Sequence, residues 1–154
     1  MPDSALKPYF NILRTVVLTS RHEMDPDMMV EASLKLDVHG NVEHTAAGGF
    51  GPVHALDRAL RRALTRWYPE LEQMHLIDYK VRVLSPTRTN IPDAAEENGT
   101  GSNVRVLIES SDGVASWTTV GVSYSIIEAS LEVLADAVTC KLYKTEQARW
   151  RAEC

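Results

Sequence analysis

Two hydrophobic periodicities alternate along this chain, and the alternation happens twice. From Tyr9 to Thr19, Phe10, Ile12, Val16 and Leu18 fall on every second position, with Arg14 interrupting one slot. Period two predicts a strand. Residues 20–28 (SRHEMDPDM) are polar, contain a proline and read as a loop. Residues 30–38 alternate again through Ala32, Leu34, Leu36 and Val38; His39-Gly40-Asn41 and residues 42–47 follow, which predicts a β-hairpin. In Gly48-Gly49-Phe50-Gly51-Pro52 the glycines suit a tight strand-to-helix turn, and Pro52 suits the first helical position. Over 53–68, Val53, Leu56, Leu60, Ala63, Leu64 and Trp67 recur at three- and four-residue spacing. That spacing predicts a helix with one apolar face, ended by Pro69.

The second half follows the same plan. Residues 75–84 place Ile77, Tyr79, Val81 and Val83 on one face of a strand. A long polar stretch, 85–102, contains two prolines and reads as a flexible loop. Residues 104–109, the turn Ser111-Asp112-Gly113 and residues 115–122 predict another hairpin. Ser125 and Glu128 fit an S-x-x-E capping box, and a helix is predicted over 126–143. Its stripe of Ile127, Leu131, Leu134, Val138 and Leu142 is widened by Ile126, Ala129, Val133 and Ala137. Gly40 and Gly113, Gly48 and Gly121, and Val53 and Ile126 are each 73 residues apart (113 − 40 = 73).

The fold class expected is therefore α+β: two βββα units packed as an internal pseudo-repeat. They make one domain over 9–144, with unit one at about 9–69, unit two at about 74–144, and tails at 1–8 and 145–154. One such unit buries little alone, so two must share a core. The second helix carries apolar residues around more of its circumference than one sheet face covers, which predicts a symmetric homodimer.

Composition narrows the function. At 154 residues the chain is too short for a (β/α)₈ barrel, which needs roughly 200 or more. It is 44% hydrophobic and 24% charged, ordinary for a folded domain. No apolar run approaches a membrane span of about 20 residues, and the N-terminus lacks the apolar core of a secretory signal. Cys140 and Cys154 make no disulfide framework, so a reduced cytoplasmic setting is expected. A net charge of −5 counts against nucleic-acid binding.

Candidate chemistry is sparse. The five histidines, His22, His39, His44, His54 and His75, show no H-x-x-x-H spacing, and there is no C-x-x-C. No catalytic residue, metal ligand or cofactor site is assigned. His44 reads as a cross-strand surface residue and Cys140 as a small hydrophobe. The glycines at 48, 49 and 51 lack the G-x-G-x-x-G and G-K-[ST] phosphate patterns. Arg58, Arg61, Arg62 and Arg66 read as a solvated basic helix face.

Two stretches are more specific. EHTAAGGFGPVHALDRALRRAL (43–64) and VRVLIESSDGVASWTTVGVSYSIIEASLEVLADAVTCKL (104–142), preceded by LIDYKVRVL (76–84), resemble the C-terminal regulatory domain of the isopropylmalate synthase family. Within it they look like the citramalate synthase branch, and the resemblance covers about 9–144. It departs at Phe50, where Asn is usual, and at Tyr124-Ser125.

The resemblance implies a domain of two βββα units that pairs across a dimer and binds an end-product amino acid. The barrel that condenses acetyl-CoA with a 2-oxo acid, using a divalent metal, is absent from this chain. The implied effector is isoleucine, or leucine if the chain follows the isopropylmalate branch. The implied contacts are Val53, His54, Leu76, Tyr79, Val83, Thr100, Ser102, Tyr124 and Ile126. A branched amino acid needs an apolar slot, and helix N-termini offer N–H donors to its carboxylate. A stand-alone amino-acid-binding dimerisation module, regulating a catalytic barrel in trans, is the other reading.

Overall fold

The computed structural model describes residues 9–22, 25–84 and 103–153. They form the expected α+β architecture: two three-stranded antiparallel sheets, each followed by a helix. The chain divides into two compact units, residues 1–73 with 138–154, and residues 74–137.

The first unit contains β1 (Asn11–His22), β2 (Asp25–Val38), β3 (Asn41–Gly49) and α1 (Pro52–Leu64), with β2 in the centre of the sheet. The alternation on β2 does what period two predicts. Ala32, Leu34, Leu36 and Val38 are all fully buried. α1 presents Ala55, Leu56, Ala59, Leu60, Ala63 and Leu64, also buried. Each buried leucine contributes about 1.5–3 kcal/mol to holding helix and sheet together.

Three local features depart from the expected reading. The β1–β2 ladder runs on to His22↔Asp25, so the expected loop at 20–28 is mostly strand. Residues 20–28 are polar at most positions, so no hydrophobic alternation announces the strand. A register shift between Ile12 and Arg14 then puts Ile12 beside core-facing Leu36 but Val16 and Leu18 beside Ser33 and Glu31. One extra residue exchanges the two faces of a strand, so Val16 and Leu18 lie opposite Ile12 rather than beside it. α1, finally, ends at Leu64, not at 68. The Thr65 hydroxyl donates to Arg61 O at 2.6 Å. The Trp67 and Tyr68 amides then both donate to Leu64 O, tightening the last turn before a 3-10 helix at Pro69–Gln73.

The second unit contains β4 (His75–Val83), β5 (Val104–Ser111), β6 (Ser116–Ser123) and the first turns of α2 (Ile126–Glu153), with β5 central. Met74 ahead of β4, Val106 and Ile108 on β5 and Ala129, Val133, Leu134 and Ala137 on α2 are its buried apolar residues. α2 does not end at 143: it continues to Glu153, so the expected tail from 145 is helical. Residues 144–153 lack Pro and Gly and are mostly good helix formers; only the apolar stripe stops. From Val138 onward α2 belongs to the first unit, where unit two was expected to run to 144. There the Tyr9 hydroxyl donates to the Glu146 carboxylate, Lys141 Nζ donates to Gln73 Oε1 at 3.3 Å, and Arg149 pairs with Glu70 at 3.9 Å. Burial and the Glu146 carboxylate hold the Tyr9 phenol well above its usual pKa. The expected loop at 85–102 lies outside the described residues. No described helix is long and apolar enough to cross a membrane.

The repeat itself is 74 residues from the second strand of each unit through the helix. Thr45 Oγ1 donates to Ala59 O at 2.9 Å, and Thr119 Oγ1 to Val133 O at 3.0 Å. Ala55 N bonds Gly51 O, and Ala129 N bonds Ser125 O, both at 3.0 Å. Each pair is related by 74 (119 − 45 = 74; 129 − 55 = 74). Gly40 and Gly113, 73 apart, are therefore not equivalent. In the first hairpin both central residues, His39 and Gly40, have positive φ (51° and 83°). In the second only the first central residue, Gly113, does (85°). These are the sign patterns of type I′ and type II′ turns, which need glycine at different positions. Pro52 accordingly matches Ile126, and Val53 matches Ile127.

Candidate functional site

The start of α2 is built by hydroxyls. Ser125 Oγ accepts the Glu128 N–H at 3.3 Å, the first half of the expected capping box. The second half is a relay. The Glu128 carboxylate accepts from Ser123 Oγ at 3.0 Å, and Ser123 Oγ accepts the Ser125 N–H at 3.1 Å. Ser123, the last residue of β6, therefore ties strand end to helix start. Beside this cap Tyr124 is 72% and Ile126 43% exposed, an apolar pair with no core to enter.

β4 supplies the neighbouring face. A register shift between Leu76 and Asp78 takes Ile77 out of the expected row and leaves it 57% exposed. Leu76, Tyr79, Val81 and Val83 pair with Ser110, Ile108, Val106 and Val104, and so share the face over which α2 packs. The Tyr79 hydroxyl lies 3.3 Å from Ser130 Oγ on α2. Ser130, buried and missed in the sequence, sits among apolar residues at helical spacing, and that is the signal that could have found it. Val83, Val104 and Ser123 form one row across the sheet, at the end where Tyr124 and Ile126 stand. Val83 is 57% exposed. Leu76 lies in the row of Ser110, six β5 residues or about 20 Å away, at the other end. Within this unit, then, Val83, Tyr124 and Ile126 share one end of the sheet, Tyr79 lies further in, and Leu76 is apart.

Val53 and His54 occupy the first turn of α1 in the first unit. His54 Nδ1 accepts the Phe50 N–H at 3.2 Å, and the two rings stack at 5.6 Å. His54 takes the position of Glu128 in the 74-residue relation, so in both helices the third residue reaches back to hold the chain ahead of the helix. The α1 cap, Gly51, gives no side-chain hydrogen bond. Thr100 and Ser102 lie outside the described residues. The arginines of α1 are not simply solvated. Arg58 and Arg62 donate to Gly48 O and Ala46 O, and Arg61 to Asp57 and Leu71 O. His44 is exposed and bonded across strands to Ser33 Oγ at 3.0 Å. Among the described residues, no group of three or more His, Cys, Asp or Glu side chains is placed to hold a metal ion.

Comparison with known proteins adds the context of this surface. Residues 8–142 match the family described as LeuA allosteric (dimerisation) domain. The chain is 43% identical over 141 residues to an (R)-citramalate synthase of Geobacter sulfurreducens, covering 92% of this chain and 25% of that protein. It is 46% identical over 142 residues to the (R)-citramalate synthase of Aquifex aeolicus, with the same coverages. A 2-isopropylmalate synthase of Aquifex aeolicus is 29% identical over 137 residues, 89% of this chain and 23% of that protein. The chain thus spans about a quarter of the length of these relatives.

Proposed function

The chain belongs to the LeuA allosteric (dimerisation) domain family, and on that premise we propose that it is the effector-sensing, homodimer-forming part of a citramalate synthase-like acyltransferase. The observation that carries this reading is the difference in identity: 43% and 46% to the (R)-citramalate synthases, against 29% to the 2-isopropylmalate synthase, at nearly equal coverage. In this reading acetyl-CoA, the 2-oxo acid and a divalent metal are handled by a catalytic barrel outside this sequence. The chain supplies regulation in a cytoplasmic enzyme.

The effector of this reading is isoleucine, with leucine the alternative. The apolar end of the second unit supports it. Val83, Tyr124 and Ile126 are exposed apolar groups beside a helix start, the two chemistries that a branched side chain and a carboxylate require. Tyr79 adds a ring and a hydroxyl. The family resemblance also implies Val53, His54, Thr100 and Ser102; Leu76, about 20 Å along the sheet from Val83, is not retained among the proposed contacts.

Calorimetric titration with each branched-chain amino acid tests the reading. Isoleucine should bind tightest. Tyr79→Ala should weaken binding by roughly five- to 150-fold, from ring contacts of about 1–3 kcal/mol. Glu31→Ala, on the exposed face of β2 away from α1, should leave affinity unchanged. Light scattering at micromolar concentration should give a dimer. No binding of any branched-chain amino acid to a folded dimer would overturn the sensing role, and a monomer would overturn the dimer.

A further inference from the structure

A sheet edge exposes a row of unpaired N–H and C=O groups, and among the described residues three of the four sheet edges carry a device that blunts this. β1 is broken by register shifts at Ile12/Arg14 and Ser20/His22. β4 is broken at Leu76/Asp78, and Asp78 Oδ1 accepts the Tyr79 N–H at 2.9 Å. β3 is closed by a ladder of arginines. Arg58 Nη1 donates to Gly48 O at 2.9 Å and Arg62 Nη1 to Ala46 O at 2.7 Å, and Arg66 pairs with Glu43 at 3.6 Å. One helical turn of four residues advances about 6 Å and two strand residues about 6.8 Å, so arginines at i and i+4 meet alternate carbonyls.

β6 has no such device among the described residues. Its ladder with β5 is unbroken from Val104↔Ser123 to Ser111↔Ser116. By the 74-residue relation, Val120 and Val122 stand where Ala46 and Gly48 do, so their N–H and C=O groups point away from β5. Glu132 and Asp136 stand where Arg58 and Arg62 do. A carboxylate cannot donate to a carbonyl, so the edge stays open where the first unit closes it. Glu132 leans over this strand: its Oε2 lies 3.7 Å from where a Cβ on Gly121 would be. On the opposite face Val120 and Val122 are 48% and 49% exposed.

We propose that the β6 edge is a strand-addition site for an extended peptide segment that alternates cationic and apolar side chains. Its backbone pairs with Val120 and Val122. Its lysines or arginines, on the α2 side, meet Glu132 and Asp136 in charge-assisted hydrogen bonds. Its apolar side chains, on the other side, cover Val120 and Val122. Pairing with β6 of a second copy would set like carboxylates side by side between chains of net charge −5, so charge favours a cationic partner.

The test is amide hydrogen exchange by NMR on the 154-residue chain, with the blocked heptapeptide Ac-KVKVKVK-NH2 as probe. At a peptide concentration about ten times its dissociation constant, exchange at Val120 and Val122 should slow about tenfold. Val106 and Ile108, already paired inside the sheet, should not change. Two controls should leave exchange unchanged: Ac-EVEVEVE-NH2, with the charge reversed, and Ac-KVKPKVK-NH2, which lacks a central N–H. The double variant Glu132→Arg/Asp136→Arg copies the closure of the first unit onto exposed positions. It should abolish the slowing, and an unchanged spectrum for β5 shows that it remains folded. Equal slowing by the acidic peptide, or no slowing in the parent, overturns the proposal. So does protection of Val120 and Val122 that rises with protein concentration without peptide, because the edge then belongs to a second copy.

Discussion

Gly121 has no room for a Cβ, and Gly121→Ala tests the repeat directly. Its φ is not in the positive range, so alanine meets no backbone objection there. The objection is space. A Cβ at Gly121 would come 2.6 Å from Val133 Cγ2 and 3.0 Å from Ala129 O. Val133 is fully buried and β-branched on a helix, with essentially one χ1 rotamer, so it cannot swing away. Overpacking of this kind costs about 1–3 kcal/mol. Gly→Ala elsewhere stabilises by about 0.4–1 kcal/mol through the unfolded chain, so the clash wins and a net loss of about 1–2 kcal/mol is expected. The first unit contains the remedy: the equivalents of Gly121 and Val133 are Ala47 and Ala59. Val133→Ala alone should cost about 1.6 kcal/mol for two buried methyl groups. The double variant should lose clearly less than the sum of the two single losses, with a coupling of about 1 kcal/mol or more. Urea denaturation gives all four stabilities, provided the m-value is constant. A neutral Gly121→Ala, or strictly additive losses, would refute both the contact and the equivalence.

Two further outcomes follow from the geometry. Thr45→Val and Thr119→Val each remove one hydroxyl bond to a helix carbonyl and should cost about 1 kcal/mol each in urea denaturation; a loss in only one unit would contradict the equivalence. Partial burial raises the Asp136 carboxyl above its ordinary pKa, although the residue as a whole is exposed. A raised acid favours folding when protonated, so the penalty is present at neutral pH and is relieved as pH falls through the raised value. Asp136→Asn should thus be more stable than the parent at pH 7, by an amount that vanishes below about pH 4, where folded and unfolded carboxyls are both protonated. A gap that does not change with pH would contradict this cause.

Hydrophobic alternation made the central strands and both helix cores legible, because β2 and β5 bury one face each and α1 buries a single stripe. It failed where a strand carries an extra residue. Leu13 and Ile77 are the residues skipped in the β1 and β4 ladders, and both are apolar, so nothing in the pattern announces the shift. It failed again at the end of α2, whose last residues hold the first unit through polar side chains such as Glu146 and Arg149. The proposed effector contacts came from family wording, since Val83, Tyr124 and Ile126 are apolar in any reading. Their common exposure at one end of a sheet required coordinates. Ser123 and Ser130 escaped notice because a hydroxyl that bonds inward has the same letter as one that faces water.

The two units differ least in the core and most on the helix flank and at the helix cap. Positions 55, 59, 60 and 63 of α1 and their counterparts 129, 133, 134 and 137 of α2 are all buried, and the threonine-to-carbonyl bond recurs. On the helix flank the charge inverts, from Arg58 and Arg62 to Glu132 and Asp136. Ahead of the helix the cap changes from Gly51 with His54 to Ser125 with Glu128. A core position is constrained by close packing in both copies, because any change of volume there costs stability. A flank position is constrained only by what approaches it, and in the first unit that neighbour is its own edge strand. The inversion leaves β6 with an acidic, unpaired border that stability alone does not require. Charge reversal at Glu132 and Asp136 should therefore affect what the domain binds far more than whether it folds.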